Sequence, residues 1–328
     1  VLSMNALQAQ GWFRQPTPND TLRSVVVLPD NSVVFQIYAP NAQRVSVSGD
    51  LPWDRPAVFT KEENGVWKGR IAKMDEGVFR YKFSVDGMSV YDPKAPNAGE
   101  TSALLTVDKD SDSFFAMKNV PHGNVQQVLF WSESTKTTRR AFVYTPPQYG
   151  KNKKQKYPVL YLMGGSGELP SNWMYDGRVN FIMDNLLAEG KAEPMLIVLV
   201  NNQVVHRNHP QHADLTFDIM EREYREAVIP FIDSHYKTIA NPHGRAISGL
   251  SMGGRHTMFV GLKSLDLFAN FGVLSAGDNT PEQTLGEFLN DPKANEKVDY
   301  LFIGQGGDEE KGMFNFRVKP FREALDKQ

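Results

Sequence analysis

The chain has 328 residues, which at roughly 100–200 residues per domain predicts two domains or one large one. Its 36 Lys and Arg nearly balance its 38 Asp and Glu, so it lacks the basic excess that a nucleic-acid-binding protein needs. A hydrophobic content of 41% supports real cores, no apolar run approaches the ~20 residues of a membrane helix, and the absence of cysteine excludes disulfides, zinc-cysteine sites and thiol nucleophiles.

The first residues have the character of a processed terminus. The chain begins at Val1 rather than Met, and residues 1–9 resemble the end of a secretory signal, with the small Ala9 before a cleavage point. We therefore expect a secreted or periplasmic protein, with an ordinary frayed terminus as the alternative.

Residues 21–107 carry a pattern of short strands and turns. Val33, Phe35 and Ile37 alternate with residues of the opposite face, and this period of two is typical of half-buried strands. Because regularly spaced strands follow one another without a helical stretch, the pattern predicts a β-sandwich. A polar hinge is predicted at 108–113.

The rest of the chain alternates strands with helices. Two continuous apolar runs, 157–163 and 195–200, are typical of strands buried on both faces, and a helix is predicted between them at 179–188. A second helix is predicted over 217–234, with a kink or an early end at Pro230. This alternation predicts an α/β domain whose parallel sheet is covered on both faces. Further strands are predicted at 125–131, 140–144, 245–248, 271–275 and 300–303.

Residues 249–254 (GLSMGG) fit the G-x-S-x-G pattern, a strained strand-to-helix turn that exposes a nucleophilic serine. A predicted strand precedes the motif and a predicted helix begins at Met252. A side chain at Gly249 or Gly253 would collide with neighbouring backbone while the serine is held out at the edge of the sheet. The motif therefore predicts Ser251 as a nucleophile rather than as part of an ordinary glycine-rich turn.

Attack by a serine creates an oxyanion, which needs preorganised N–H donors. The amide of Met252 is one candidate, because it lies at the positive end of the following helix. The second donor is expected from the glycine-rich loop 164–167 after an earlier central strand, with Gly165 or Ser166 as the donor. A merely flexible loop at the end of the strand is the alternative.

These features resemble a known family. The serine motif, preceded by IPFID at 229–233 and RAI at 245–247, looks like carbohydrate esterase family 1, which includes feruloyl and acetylxylan esterases and belongs to the wider esterase D and enterochelin-esterase-like α/β-hydrolases. The strands at 158–162 and 194–198 are similar to its central strands. The resemblance implies an α/β-hydrolase fold and a Ser-His-Asp/Glu mechanism, in which an acyl-enzyme forms and is released by water.

The N-terminal region resembles the module that often precedes such esterases. Residues 33–85, which include Trp67, are similar to the immunoglobulin-like module of carbohydrate-binding module family 48. The resemblance implies sugar binding by aromatic stacking, with Trp53 and Trp67 as candidates, although Trp67 lies in an alternating strand and is expected in the core. The chain is thus divided into a β-sandwich at 10–115 and an esterase domain at 116–328.

The sequence departs from the family's pattern in three respects, of which the first two concern the oxyanion loop and the acid. The family commonly has His-Gly where this chain has Gly164-Gly165, which leaves the geometry of the loop open. The carboxylate of the triad belongs in the acidic turn after the strand at 300–303. Asp308 is favoured there on residue type, Glu309 stands at the family's acid position and remains the alternative, and a solvated acidic turn is the third interpretation.

The third departure concerns the base. In this fold the chain order is serine, acid, histidine, yet no histidine follows Asp308. We expect the C-terminus to be incomplete, with the base beyond residue 328, and a degenerate hydrolase that binds without cleaving is the alternative. His256 is expected to pack or cap on the helix after Ser251. The loop 204–213, which holds three of the seven histidines, is expected to be a solvated rim rather than a metal site.

Polar and aromatic residues near the predicted sheet edge are candidates for substrate contact. Asn201 and Asn202 end an apolar strand on the carboxyl side of the sheet, where ligands bind in open α/β folds. Trp173 and Tyr175 offer a stacking face for an aromatic acyl group or a sugar, with lid packing as the alternative.

The residues and the resemblance together predict a serine esterase that acts on feruloyl or acetyl esters of xylan-type plant polysaccharide. Its expected partner is xylan or a feruloylated or acetylated oligosaccharide, and no metal or organic cofactor is expected. Neither nucleic acid nor a membrane is an expected partner. A siderophore esterase of the enterochelin type and a catalytically inactive carbohydrate-binding homologue are the alternatives.

Overall fold

The computed structural model describes residues 15–108, 112–311 and 315–327. These residues divide into two units, one within 1–109 and the other within 110–328. The expected signal remnant at 1–9 lies outside the described residues, as does the middle of the predicted hinge.

The first unit consists of two antiparallel sheets, as the alternating pattern predicts. One sheet has the order β1-β2-β5-β4, and the other has the order β3-β6-β9-β8 with β7 paired to β6. Phe35 of the first sheet packs edge-on against Tyr81 and Phe83 of the second, with ring centroids 5.4 and 6.4 Å apart. The predicted β-sandwich is therefore confirmed. Its strands are β1 (Val25–Val27), β2 (Val33–Tyr38), β3 (Val45–Gly49), β4 (Val58–Lys61), β5 (Val66–Ile71), β6 (Gly77–Val85), β7 (Met88–Val90), β8 (Asn97–Ala98) and β9 (Ala103–Val107).

The second unit is built on a seven-stranded sheet with the order β10-β11-β13-β12-β14-β15-β16. The pairs from β13 to β16 are parallel, whereas β10 and β11 join as an antiparallel edge. Every residue of β13 is buried, which agrees with the continuous apolar run in the sequence. The strands are β10 (Asn124–Ser132), β11 (Thr137–Thr145), β12 (Val159–Met163), β13 (Leu196–Val200), β14 (Arg245–Leu250), β15 (Asn270–Leu274) and β16 (Tyr300–Gly304).

Helices pack on both faces of this sheet. Tyr161 and Val198 belong to the apolar core on one face, and Leu162 and Ile197 belong to the core on the other face, where Met183 packs. The helices are α1 (Asn172–Tyr175), α2 (Val179–Ala188), α3 (His212–Arg222), α4 (Ile229–His235), α5 (Met252–His256), α6 (Pro281–Thr284), α7 (Gly286–Leu289), α8 (Ala294–Lys297), α9 (Gly307–Glu310) and α10 (Asn315–Leu325). In the described part of the chain, none of them is long and apolar enough to cross a membrane.

The helix predicted over 217–234 differs in form. It begins earlier, at His212, and a π-helical turn at Glu223–Val228 separates α3 from α4. Pro230 is the second residue of α4 and follows directly on the π turn, in which the N–H of Ile229 bonds to the carbonyl of Tyr224 five residues earlier. Of the two alternatives predicted at Pro230, a kink or an early end, the early end is wrong, because a π turn precedes the proline and α4 continues to His235.

Candidate active site

Ser251 lies on a strained turn between β14 and α5. Its φ of +54° and ψ of −109° are rare for a residue with a side chain, and the residue is exposed. Its N–H donates to the carbonyl of Leu274 at 2.8 Å, which ties the turn to β15. The strand-to-helix turn predicted from the motif is thus present, and it directs the serine away from the core.

The glycines of the motif are required by close backbone packing. A Cβ on Gly249 would lie 2.4 Å from the carbonyl carbon of Gly253. A Cβ on Gly253 would lie 2.7 Å from the carbonyl oxygens of both Met163 and Gly164. These distances confirm the prediction that side chains at 249 and 253 would collide with backbone.

A small cleft of about 50 Å³ lies in front of Ser251 and is lined by residues from the segments that follow β14, β15 and β16 and from α10. Glu309 lines it together with Arg255 and Arg317. Burial lowers the pKa of Arg255, and the neighbouring Arg317 lowers it further. The guanidinium of Arg255 also packs over the rings of Phe217 and Phe259, at 5.4 and 5.3 Å from their centroids.

The structure separates the two candidate acids. Glu309 is half-buried, lines the Ser251 cleft and accepts the N–H of Gly306 at 3.0 Å. Asp308 is exposed and is not among the residues that line this cleft. Of the two candidate acids, Glu309, the alternative in the sequence prediction, is therefore the one that shares the cleft with Ser251.

No imidazole among the described residues hydrogen-bonds to the side chain of Ser251. His256 is fully buried, with Nδ1 2.9 Å from the carbonyl of Met252 and Nε2 3.4 Å from the hydroxyl of Thr216. Burial lowers its pKa to about 4, so it is neutral and packs beneath the turn, as expected.

Five of the other six histidines have partners elsewhere, whereas Nδ1 of His212 is buried without a hydrogen-bond partner among the described residues. His122 contacts Asp184, and His243 contacts Asp299, each at 2.8 Å. His206 and His209 accept backbone N–H groups within their own loop. Among the described residues, no group of three His, Asp or Glu side chains converges as a metal site would require.

The predicted oxyanion loop, residues 164–167, lies close to the strand-to-helix turn at Ser251, which we call the elbow. The carbonyl of Gly164 accepts the N–H of Gly253 at 3.1 Å, which joins the two loops. Met252 is the first residue of α5, so its N–H has no partner within the helix. The N–H of Gly165 donates to Oε2 of Glu168 at 2.7 Å, and Ser166 is exposed beside it.

Asn202 occupies a different place from the predicted rim. It is buried, and its Nδ2 donates to the carbonyl of Gly164 at 2.8 Å. Gln203 Nε2 donates to the carbonyl of Gly165 at 3.3 Å and to Oδ1 of Asn202 at 2.8 Å. Asn202 therefore supports the oxyanion loop from below, while the half-buried Asn201 accepts the N–H of Gln203 with Oδ1.

A buried ion pair anchors this support. Arg139 and Glu223 are both buried and lie 3.1 Å apart, and Arg139 also donates to the carbonyls of Asn201 and Gln203. The sequence analysis missed this pair, because Arg139 and Glu223 lie 84 positions apart in the chain.

The candidate aromatic contacts fall into two classes. Trp173 packs against the apolar core around Met183, which matches the alternative of lid packing, whereas Tyr175 is 42% exposed. In the first unit Trp53 is 91% exposed, and Trp67 is buried with its indole N–H on the carbonyl of Ala39. The prediction that Trp67 belongs to the core is confirmed.

Comparison with known proteins identifies both parts of the chain. The Esterase family model matches residues 132–324, and the model of carbohydrate-binding module 48, the isoamylase N-terminal domain, matches residues 24–106. A protein of Xylanibacter ruminicola named endo-1,4-beta-xylanase/feruloyl esterase is 36% identical over 298 residues, covering 88% of this chain. The chain spans only 40% of that relative's length.

Solved structures have the same fold. A ferulic acid esterase superposes with a TM-score of 0.52 and 26% identity, covering 64% of this chain and 86% of its own. The enterobactin esterase of Shigella flexneri superposes with a TM-score of 0.62 at 14% identity, covering 90% of this chain and 84% of its own. These matches confirm the predicted resemblance and the fold class, an α/β-hydrolase domain preceded by an all-β module.

Proposed function

The chain belongs to the Esterase family, and from this premise we propose that it is a serine esterase acting on feruloyl or acetyl esters of xylan-type polysaccharide. The observation that carries the proposal is the exposed Ser251, held at a φ of +54° in a cleft that also contains a carboxylate, Glu309. The similarity to the endo-1,4-beta-xylanase/feruloyl esterase of Xylanibacter ruminicola supports a feruloyl ester and a xylan as the substrate class.

The proposed chemistry is acyl transfer through Ser251. An imidazole base removes the hydroxyl proton as Oγ attacks the ester carbonyl, and the N–H of Met252 with that of Gly165 or Ser166 holds the oxyanion. The intermediate collapses to an acyl-enzyme, and the imidazolium returns its proton to the departing alcohol. Water then attacks the acyl-enzyme by the same route and releases the acid. Glu309 orients the imidazole and stabilises its cation, and no metal or organic cofactor is required.

The mechanism needs an imidazole next to Ser251, and no histidine among the described residues hydrogen-bonds to the side chain of Ser251. The sheet also presents an uncovered apolar surface. Tyr300 and Phe302 of the edge strand β16 are 60% and 47% exposed, and they line an open groove of about 460 Å³ on the face of the sheet. Exposed apolar surface of this kind marks a site of contact.

The first unit and the location of the protein complete the proposal. Trp53, 91% exposed, offers a flat aromatic surface on which a sugar ring can stack. We propose that this surface holds the polysaccharide and that the protein works in a secreted or periplasmic setting, where such polymers are met.

The test is hydrolysis of methyl ferulate and of an aryl acetate by the full-length gene product and its Ser251→Ala variant. We expect the variant to lose at least about 10³-fold in kcat while its affinity for xylan is unchanged. Ser166→Ala is the matched control, since it keeps its backbone N–H and is expected to retain activity. A wild-type protein inert toward both esters and toward a feruloylated xylo-oligosaccharide would refute the esterase and favour a binding role. A preference for a ferric siderophore would favour the other enzyme class.

A further inference from the structure

The oxyanion loop carries an acidic side chain to which the mechanism above assigns no role. Oε2 of Glu168 accepts the N–H of Gly165 at 2.7 Å, and the N–H of Glu168 donates to the carbonyl of Gly165 at 3.2 Å. The loop thus closes on itself through a reciprocal pair of hydrogen bonds. As a result, the Gly165 amide, one of the two candidates for the second oxyanion donor, is already bonded to a carboxylate.

The carboxylate lies in the same space as the nucleophile. A Cβ built on Gly165 would lie 3.5 Å from Oε2 of Glu168 and 3.7 Å from Cβ of Ser251. Glu168 is half-buried at the rim, whereas Gly165 is buried beneath it. An ester carbonyl that approaches Ser251 must therefore enter the space next to this carboxylate.

Glu168 and an oxyanion cannot share the Gly165 amide. A donor bonded to the carboxylate gives no stabilisation to charge that develops on the substrate. A fixed negative charge beside the oxyanion also opposes its formation, and this repulsion is strong where water is excluded. Catalysis through Gly165 therefore requires the side chain of Glu168 to leave the amide.

The backbone around Gly165 is held independently of Glu168. The carbonyl of Gly164 accepts from Asn202 and from the N–H of Gly253, and the carbonyl of Gly165 accepts from Gln203. Rotation of the Glu168 side chain therefore frees the Gly165 amide while these contacts keep it aimed at the same point.

We propose that Glu168 closes the oxyanion site in the free protein and that the alcohol part of the substrate opens it. An ionised carboxylate accepts hydrogen bonds and donates none, so the group that draws it from Gly165 must donate. A sugar presents several hydroxyl donors next to the ester, whereas the methyl group of a methyl ester presents none. This inference rests on the proposed function and makes Glu168 a positioning residue that selects esters of sugars over esters of simple alcohols.

The experiment compares kcat/KM for a feruloylated xylo-oligosaccharide and for methyl ferulate, using the full-length wild type, Glu168→Gln and Glu287→Gln. Glu168→Gln removes the fixed charge beside the oxyanion, although its amide oxygen can still accept a hydrogen bond. We expect it to raise kcat/KM for methyl ferulate about tenfold and to leave that for the sugar ester within about threefold, so that the preference for sugar esters shrinks. Glu287 is exposed on α7, away from the cleft, and its variant is expected to match the wild type. Glu168→Ala serves as a second variant and is expected to show the same loss of preference.

Each outcome decides the inference. An unchanged preference in both Glu168 variants, or an equal loss of rate on both esters, would mean that Glu168 only shapes the loop. A wild-type protein that hydrolyses neither ester would remove the proposed function and this inference together. A wild type that cleaves both esters with a preference insensitive to Glu168 would remove the inference alone.

Discussion

Two glycine-rich loops reach the carboxyl edge of the sheet, and they are built in opposite ways. After β14 the chain turns through Ser251 so tightly that a Cβ on Gly253 would lie 2.7 Å from two backbone oxygens. After β16 the chain turns through Gly306 and Gly307, and a Cβ on Gly307 would meet nothing within 4 Å. The first loop is held by backbone packing against β12, and the second extends into open space.

The difference follows from what each loop has to hold. A serine kept at a positive φ is strained, and it persists only where surrounding contacts over-determine it. An acid that orients a base needs reach and a hydrogen bond, and the N–H of Gly306 gives Glu309 that bond in an otherwise open loop. We therefore expect substitutions in the elbow to lower the stability of the protein. Substitutions in the loop after β16, which carries the acid, are expected to lower only the rate of catalysis.

The largest expected effect is on the rate of catalysis. It comes from the loop after β16, which we call the open loop, in contrast to the packed loop around Ser251. In Glu309→Gln the carboxamide no longer stabilises the imidazolium, so we expect kcat of the full-length enzyme to fall about 10²- to 10⁴-fold on an aryl acetate. Asp308→Asn is the matched control, since Asp308 is exposed outside the cleft, and its kcat is expected to stay within about threefold. The opposite ranking would restore Asp308 as the acid.

The next effect is on stability and comes from the packed loop. In Gly253→Ala the new methyl group would press on the carbonyls of Met163 and Gly164, so we expect about 3 kcal/mol less stability toward urea. Gly307→Ala has room for its methyl group and is expected to be neutral or slightly stabilising. Equal urea midpoints for the two variants would contradict the contrast between the loops.

Local patterns were sufficient to predict the fold. The predicted apolar run corresponds to β13, which is buried at every residue, and the alternating pattern around Phe35 corresponds to a strand of the sandwich. Both patterns predict structure well because they depend only on neighbouring residues. The elbow was predictable for the same reason, since the glycines that permit it adjoin Ser251 in the chain.

The rest of the site depends on contacts that no local pattern encodes. Asn202 ends a strand like any rim residue, yet it is buried because the carbonyl of Gly164, 38 positions away, needs a donor. Which of Asp308 and Glu309 faces the cleft depends on how the loop after β16 turns. A shift of the turn by one residue would exchange the positions of the two side chains. The hydrogen bond between Glu168 and Gly165 is local, but its effect on the site could not be predicted, because it depends on the position of Ser251, which is distant in the sequence.

The smallest expected effect depends on pH and again distinguishes the two loops. His256 lies buried under the elbow, where burial lowers its pKa from 6.5 to about 4, so the native protein keeps it neutral. Below pH 6.5 the unfolded chain takes up a proton that the native state refuses, so stability falls as the pH falls, until the native pKa is reached. Between pH 7 and pH 5 we expect a loss of about 2 kcal/mol from this group, measured as the change in unfolding free energy in urea.

Two variants test this assignment. In His256→Gln the slope of unfolding free energy against pH should decrease by the equivalent of one proton, even though the variant is less stable at both pH values. His209→Gln, on an exposed loop, should keep the wild-type slope. If the slope of unfolding free energy against pH were unchanged in His256→Gln, the packed loop would not depend on a neutral imidazole. Its stability would then be no more sensitive to low pH than that of the open loop.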